Sequence, residues 1–466
     1  MEQRDVVIIG GGPAGYVAAI RARQLGGKVT LIEKDTLGGV CLNCGCIPTR
    51  AMVRGVEFID LPKKAKDYGV NLGEAEIDFP KMMARKDTVV RTVVSGVELL
   101  MRENGVEVLK GKGELLSPAE VGVLLEDGTS SRIAAPKILI ATGTSSKRPS
   151  VPGAERTITT EQALELREIP RSMLIVGGGA IGFAFATIFS KLGTSVTVTE
   201  ESAQILPGVD GEIVSMLQRE LRRAKIQLYT EASIKEIGAG EGDESNIVLS
   251  VKGEETTLNA QYILAAEERE PNVEGLGLDK VGVKVNQGRI EVNNHMETGV
   301  GGILAAGDIT GEPMLAHVAF TEGRVAAENA LGKKSEIDYT VVPRCINTIP
   351  EIASVGLTED EALAQGHQLR IGRFPFAASG MATILGERTG TIKVVTEAEY
   401  GRILGVHIIG PRATDLIPEA ALAMRLEATS HEISSTIHAH PSLSEALMES
   451  ALDVTGDTLH FMSQNR

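Results

Sequence analysis

The sequence predicts an α/β fold built on parallel strands, and three observations carry that expectation. A short β-branched run near the start of the 466-residue chain, "DVVIIGGGPAG", leads straight into glycines. The same pattern returns at Ser172 as "SMLIVGGGAIG". Each copy is followed by a Leu-Gly pair (Leu25-Gly26, Leu192-Gly193) and by a second strand-like run, "KVTLIEK" or "SVTVTEE", with Glu33 and Glu200 at matching places. Strand, glycine turn, helix and strand make one β-α-β unit, whose two strands lie parallel. The chain contains that unit twice.

In each unit the glycines are spaced Gly-x-Gly-x-x-Gly: Gly10, Gly12 and Gly15, then Gly177, Gly179 and Gly182. The first permits a tight turn, the second lets the backbone approach a pyrophosphate, and the third lets helix and strand pack closely. The helix behind them presents free N–H groups and its positive dipole end to phosphates. An acid at the end of the second strand accepts hydrogen bonds from a ribose 2′-OH and repels a 2′-phosphate. One such run alone reads equally as a glycine-rich turn. Two copies in correct order, each closed by its acid, predict two dinucleotide sites. Glu200 is followed by Glu201 rather than Arg, which favours NAD over NADP at the second.

Composition narrows the function classes. A net charge of −15 opposes a nucleic-acid or anionic-membrane partner. Four cysteines in so long a chain do not make a secreted disulfide framework, and a cytoplasmic protein is expected. The apolar start lacks a basic flank and is broken by glycines, so it does not read as a signal peptide. Met173 to Ser190 is uncharged over a length that could nominally cross a bilayer. Its central glycines place a strand-to-helix turn there instead.

The remaining elements follow in order. Residues near Gly55 to Asn104 read as helical, in "VEFIDLPKKAKDYGV" and "MMARKDTVVRTVVSGVELLMREN". Alternating runs such as "VGVLLEDG" come next, then "KILIATGT", a strand ending in a glycine turn. From Thr340 strands ("TIKVVTEAEYGRILGVHIIG") mix with helices ("IPEAALAMRLE").

"GGVCLNCGCIPTR", Gly38 to Arg50, gathers three of the four cysteines, Cys41, Cys44 and Cys46, just after Glu33. Three readings compete. Free cysteines are often buried core. "CLNCGC" could begin a metal site, but no His precedes His295 to complete it, and no metal is expected. The third reading is a redox disulfide between Cys41 and Cys46 beside a flavin, with Gly45 and Pro48 loosening the helix so that the thiols meet. A flavin that exchanges hydride with a nicotinamide and electrons with a disulfide gives two nucleotide sites one use.

With these motifs the chain resembles the flavoprotein disulfide reductases, most closely their dihydrolipoamide dehydrogenase branch. The likeness runs from Arg4 to about Leu452. It rests on "GGVCLNCGCIP", "TGVGGILAAGD" (Thr298 to Asp308), "MLAHVAFTEG" (Met314 to Gly323), "PEIASVGLTE" (Pro350 to Glu359) and "HAHPSLSE" (His438 to Glu445). The resemblance implies FAD and NAD as cofactors and roles for matching positions. Cys41 exchanges with substrate, and Cys46 faces the flavin. Gly10, Gly12, Gly15 and Glu33 hold the ADP half of FAD, with Gly113 and Gly143 against it. Asp308 binds its ribityl–phosphate region, with Ala316 nearby. Gly177, Gly179, Gly182 and Glu200 bind NAD. His440 is the acid–base, oriented by Glu445, and reaches the disulfide of the partner subunit, so a homodimer is implied. The expected parts are an FAD domain (1–152), an inserted NAD domain (153–271), a central segment completing the FAD site (272–341) and an α+β dimerisation domain (342–466). The expected substrate is a dihydrolipoyl-type dithiol, free or on a separate carrier protein.

The chain also departs from that pattern. Cys44 replaces an apolar residue and reads as an inert thiol or an accessory one. Arg50 replaces a Lys beside the flavin, and Ala184 replaces the Glu that pairs with that Lys. Glu268, in "AAEEREPN", replaces a Gly. Arg50 without its carboxylate would be an unpaired cation, which motivates an alternative: an electron-transfer subunit with weak NAD turnover. Other disulfide reductases fit less well. The glutathione type prefers NADP, which Glu200 opposes, and the mercury type carries a C-terminal cysteine pair that "LHFMSQNR" lacks.

Overall fold

A computed structural model describes residues 2–463 apart from 268 and 312. The expectation about Glu268 therefore lies outside the described residues. The first unit is centred on the strand Val6–Ile9, buried along its whole length. It pairs in parallel with Val29–Glu33 on one side and Lys137–Ile140 on the other. Strands covered on both faces need apolar side chains throughout, which is why "VVII" and "KILI" do not alternate. Two more parallel strands flank these, Glu107–Ser117 beside Val29–Glu33 and Ile303–Ala305 beside Lys137–Ile140. Glu120–Leu125 and Ser130–Ala134 extend the sheet in antiparallel fashion.

Ile303–Ala305 returns from far along the chain and delivers Gly307 and Asp308 to the glycine turn. The helix Ala316–Ala330 behind it packs on the helix Pro13–Gln24. At their crossing a Cβ on Gly323 would stand 2.2 Å from the Ala14 carbonyl oxygen, so only glycine permits the approach.

The second unit repeats the plan with five parallel strands, in the order Gln227–Thr230, Ser195–Glu200, Ser172–Val176, Tyr262–Ala265 and Ile158–Thr159. The uncharged run resolves into the strand Ser172–Val176 and the helix Ala180–Lys191. Among the described residues no helix is long and apolar enough to cross a membrane. The chain leaves the first sheet through Thr144–Ser146 and returns through Arg269–Pro271, and these two strands pair antiparallel. Asn272 fastens the crossing: its Nδ2 donates to the Thr142 carbonyl at 2.9 Å and its Oδ1 accepts from the Ser145 hydroxyl at 2.7 Å.

The C-terminal sheet is antiparallel, in the order Arg344–Ile346, Glu351–Gly356, Ile403–Gly410, Thr391–Glu397 and Leu369–Pro375. The helices Ala413–Arg425 and Glu445–Asp453 pack with it around one apolar core. A buried ion cluster joins it to the second unit. Lys393 Nζ lies 2.8 Å from Asp210 Oδ2 and 2.7 Å from Glu359 Oε2.

The tract expected to be helical from Gly55 to Asn104 is interrupted. Helix Leu61–Asp67 closes where Gly69 turns to φ +76°, and the long helix Phe79–Glu103 starts only where Asp78 caps it. The eleven residues between them, 68–78, form no helix or strand.

Candidate active site

The six motif glycines divide into two groups. A Cβ on Gly10 would come within 2.3 Å of the Ala141 carbonyl oxygen, and one on Gly177 within 2.7 Å of the Glu267 Cα. On Gly15 and Gly182 it would strike the carbonyl of Gly10 or Gly177 at 1.8 and 1.9 Å. The protein's own backbone therefore demands these four. Gly12 and Gly179 differ: nothing of the chain lies within 4 Å of a Cβ on Gly179, and only the Gly39 Cα, at 3.8 Å, on Gly12. A Cβ there would fill the space over each helix N-terminus where phosphates are held. Neither helix has a side-chain cap or an acid in its first turn. Both glycine turns thus fit a dinucleotide.

The two acids occupy equivalent positions. Glu33 Oε2 accepts the Gly11 N–H at 2.6 Å and its Oε1 accepts that of Asp35 at 2.8 Å. Glu200 repeats this with Gly178 at 3.0 Å and Ser202 at 2.8 Å. Each carboxylate is thereby fixed at the carboxyl end of its strand, beside the glycine turn. At the same end of the second sheet opens a cavity of about 250 Å³, lined by Val176, Thr199, Glu201, Ala265, Lys147 and Arg148 among others.

Asp308 follows a turn at Gly307 whose anchor lies fifteen residues on. Gly307 has φ +82° and donates its N–H to Glu322 Oε2 at 2.6 Å. Tyr339 donates to the other Glu322 oxygen at 2.7 Å. Burial pushes the Glu322 carboxyl up to about 7, and the nearby Asp308 charge adds to the rise. Asp308 Oδ2 in turn accepts from the Thr144 hydroxyl at 3.4 Å. Ala316 begins its helix a short way on. Gly143 holds the turn after Lys137–Ile140 at φ +64°. Gly113 is closely packed: a Cβ there would stand 3.0 Å from the Ile9 side chain and 3.4 Å from that of Ile32.

The cysteine segment begins against the first glycine turn: a Cβ on Gly39 would meet the Gly12 Cα at 2.8 Å. Cys41 lies in the short helix Gly39–Asn43, Cys44 ends it, and Cys46 is the first residue of the helix Cys46–Glu57. The break comes at Cys44 and Gly45. Pro48 does not loosen the helix, because it lies in the first turn, where a missing N–H breaks no helical bond. All four cysteines are free thiols in this structure. Cys41 donates a hydrogen bond to Cys46, and the two titrate in opposite directions. That bond, then burial, raises Cys41. The same bond lowers Cys46, against the effect of burial, with help from its own N–H at the helix start. Asp308 raises both. Cys44 behaves differently: burial, with Glu161 and Glu165 nearby, pushes it up to about 11. Among the described residues no three His, Cys, Asp or Glu side chains are grouped to hold a metal ion.

The expected isolation of Arg50 is corrected. Its Nη2 forms an ion pair with Glu351, and its Nη1 donates to Asn347 Oδ1 at 3.2 Å. Ala184 is buried in the helix Ala180–Lys191 and offers no carboxylate, but the C-terminal domain supplies one.

His440 and Glu445 meet as the family resemblance implied: His440 Nδ1 lies 2.7 Å from Glu445 Oε1, and Glu445 Oε2 accepts the Ser442 N–H at 2.7 Å. Burial raises the Glu445 carboxyl, but its bonds to His440 and Ser442 outweigh this and hold it below the usual range. The imidazole is 79% exposed, with Nε2 left for an outside partner. Within one subunit no hydrogen bond or ion pair among the described residues joins this pair to Cys41 or Cys46. The first glycine turn, Asp308 and the thiols form one group, and His440 with Glu445 another. Sequence reading missed Glu322, Tyr339, Glu351 and Asn272. Three of these lay inside runs it had quoted, but nothing local marks a carboxylate as the anchor of a distant turn.

Comparison with known proteins follows this geometry. Residues 4–323 match the pyridine nucleotide-disulphide oxidoreductase family, and residues 342–451 match the dimerisation domain of the same family. The chain is 41% identical to a dihydrolipoyl dehydrogenase of Bacillus subtilis, covering 98% of this chain and 99% of that one. It is 39% identical to a leghemoglobin reductase of Glycine max, over 97% of this chain and 87% of that one. Among solved structures it is similar to LpdA from Mycobacterium tuberculosis, with a TM-score of 0.88 and 28% identity over 97% and 99% of the two chains. The HOCl-induced flavoprotein disulfide reductase RclA of Escherichia coli, solved as a Cu(II) complex, gives 0.87 and 26% over the same shares.

Proposed function

The chain belongs to the pyridine nucleotide-disulphide oxidoreductase family, and from that premise we propose that it oxidises a dihydrolipoyl-type dithiol at Cys41 and Cys46. The enzyme is an FAD- and NAD-dependent disulfide oxidoreductase of the dihydrolipoyl dehydrogenase type. The net reaction turns a dithiol and NAD⁺ into a disulfide, NADH and a proton. FAD, when bound, carries the two electrons between the thiol pair and the nicotinamide.

The observation that carries this reading is the unequal thiol pair beside the first glycine turn. Disulfide exchange favours a leaving sulfur of low pKa and a proton for the sulfur that stays. Starting from the Cys41–Cys46 disulfide, a substrate thiolate attacks Cys41 and expels Cys46, whose lowered pKa suits it to leave as thiolate. The second substrate thiolate closes the substrate disulfide and releases Cys41, which takes a proton. The reduced pair then holds one proton, on Cys41, hydrogen-bonded to the Cys46 thiolate. The other substrate proton goes to His440, held by Glu445 in the orientation a general base needs.

Gly10, Gly12, Gly15, Glu33, Gly113, Gly143, Asp308 and Ala316 would hold FAD, with Arg50 beside its flavin; Gly177, Gly179, Gly182 and Glu200 would hold NAD. We divide the chain at 1–152 with 272–341, 153–271 and 342–466, a division supported by the return of Ile303–Ala305 to the first sheet. The His440 that serves one thiol pair would come from the partner subunit of a homodimer. In support, Leu422, Leu426 and Ile437 expose apolar surface on the domain matched to dimerisation, Ile437 three residues before His440. The lipoyl group would sit on a separate carrier, in a cytoplasm that keeps thiols reduced.

Steady-state turnover tests this reading. Dihydrolipoamide should reduce NAD⁺ far faster than NADP⁺, and reduced glutathione should not replace it. Activity confined to glutathione or NADP⁺ would overturn it.

A further inference from the structure

We propose that Arg50 and Glu351 form a positioning pair for the thiol half of the reaction, tying the helix that begins at Cys46 to the C-terminal domain. The inference rests on the dithiol-oxidising role given above. Arg50 lies four residues after Cys46 on one helix, so the two side chains share a face one turn apart. Its guanidinium is held at two points, by the Glu351 carboxylate and by Asn347 Oδ1 at 3.2 Å. A planar fork with two acceptors fixes direction as well as distance, which a Lys ammonium does not.

Glu351 is itself anchored. It is buried at the start of the strand Glu351–Gly356, and its Oε2 accepts the Thr414 N–H at 3.1 Å, in the first turn of the helix Ala413–Arg425. The same helix carries Glu419, whose Oε1 lies 2.8 Å from Nε2 of His438, two residues before His440. The apolar face of the thiol helix completes the junction: Met52, Val53 and Val56 share a core with Phe183 of the second unit and Ile352 of the C-terminal sheet. Arg50 is thus matched to a carboxylate of the C-terminal domain, where Ala184 offers none. Its bonds set the place of the Cys46 helix, and so of Cys46 itself, against that domain.

Anaerobic stopped-flow with the two half-reactions measured separately on the holoenzyme tests the proposal. Arg50→Met should slow flavin reduction by dihydrolipoamide about 10- to 100-fold relative to flavin reduction by NADH, the scale of a small misplacement of reacting groups. Glu351→Gln should act in the same direction, and Arg50→Lys should recover part of the lost rate. Because Arg50→Met leaves a buried carboxylate without its cation, the double variant Arg50→Met with Glu351→Gln guards against simple misfolding. It should regain thermal stability and FAD content while the dithiol half-reaction stays slow. Recovery of the dithiol rate in that double variant, equal slowing of both half-reactions, or no change in either would overturn the proposal. A wild-type enzyme that NADH reduces but no dithiol reduces would instead overturn the functional reading beneath it.

Discussion

Replacing Glu322 by Gln should change how stability depends on pH, by an amount the structure allows one to work out. Both carboxyl oxygens accept hydrogen bonds, from the Gly307 N–H and the Tyr339 hydroxyl, yet burial lifts the group from its ordinary 4.5 to about 7. Between those values the folded protein keeps a proton that the unfolded chain has lost. Stability therefore falls as pH rises through the window, by about 3 kcal/mol at about 1.4 kcal/mol per unit. Gln does not ionise and escapes that loss. Its amide nitrogen accepts nothing, however, so one hydrogen bond worth about 1 kcal/mol is given up. Near pH 5 the two effects almost cancel, and by pH 8 the Gln variant should be ahead by about 2 kcal/mol. Calorimetric scans of wild type and variant, at matched concentration and with FAD saturating, should show a midpoint difference that grows steadily in the variant's favour from pH 5 to 8. A constant difference would refute the reasoning, since Glu322 would then titrate alike folded and unfolded.

Other substitutions test other parts of the account. Cys41→Ser should abolish dithiol oxidation while FAD stays bound, whereas Cys44→Ser should stay active; an inactive Cys44→Ser enzyme with normal FAD content would contradict the inert role that its raised pKa supports. His440→Gln should lower dithiol turnover by about 10²–10⁴-fold, the usual contribution of a positioned base. Verified heterodimers of Cys41→Ser and His440→Gln subunits should regain part of the activity, and no recovery would oppose a shared site. Lys393→Met strips the buried Asp210 of its cation, while Glu359 keeps Arg373, so it should destabilise the protein by about 3–5 kcal/mol. A denaturation midpoint unmoved from wild type would show that the cluster contributes little.

Local chemistry was legible in the sequence; long-range anchoring was not. The glycine spacing placed both β-α-β units, because Gly15 and Gly182 answer to the backbone of Gly10 and Gly177 five residues before, although Ala141 and Glu267, which crowd Gly10 and Gly177, lie far along the chain. Glu33 and Glu200 were legible for the same reason, each reaching back to its own glycine turn. His440 and Glu445 lie five residues apart, and it was the family resemblance, not their spacing, that paired them. The partner of Arg50 was not legible: its carboxylate comes from the C-terminal sheet, and no local rule points from Arg50 to Glu351. Glu322 fixes Gly307 from the next helix, and Asn272 locks a crossing whose other strand lies more than a hundred residues earlier. Such partners are chosen by the packing of whole domains, which periodicity and spacing do not encode.

The central claim is that Cys41 and Cys46 take electrons from a dithiol and pass them on to NAD⁺. Anaerobic titration of the purified holoenzyme with dihydrolipoamide, followed by alkylation of the new thiols and then by NAD⁺, tests it most directly. The account predicts that one equivalent of dithiol per subunit makes Cys41 and Cys46, and no other pair, newly alkylatable, and that NAD⁺ added before alkylation restores the oxidised enzyme with formation of NADH. A spectrum and thiol count unmoved by dihydrolipoamide, in an enzyme that NADH reduces readily, would contradict it.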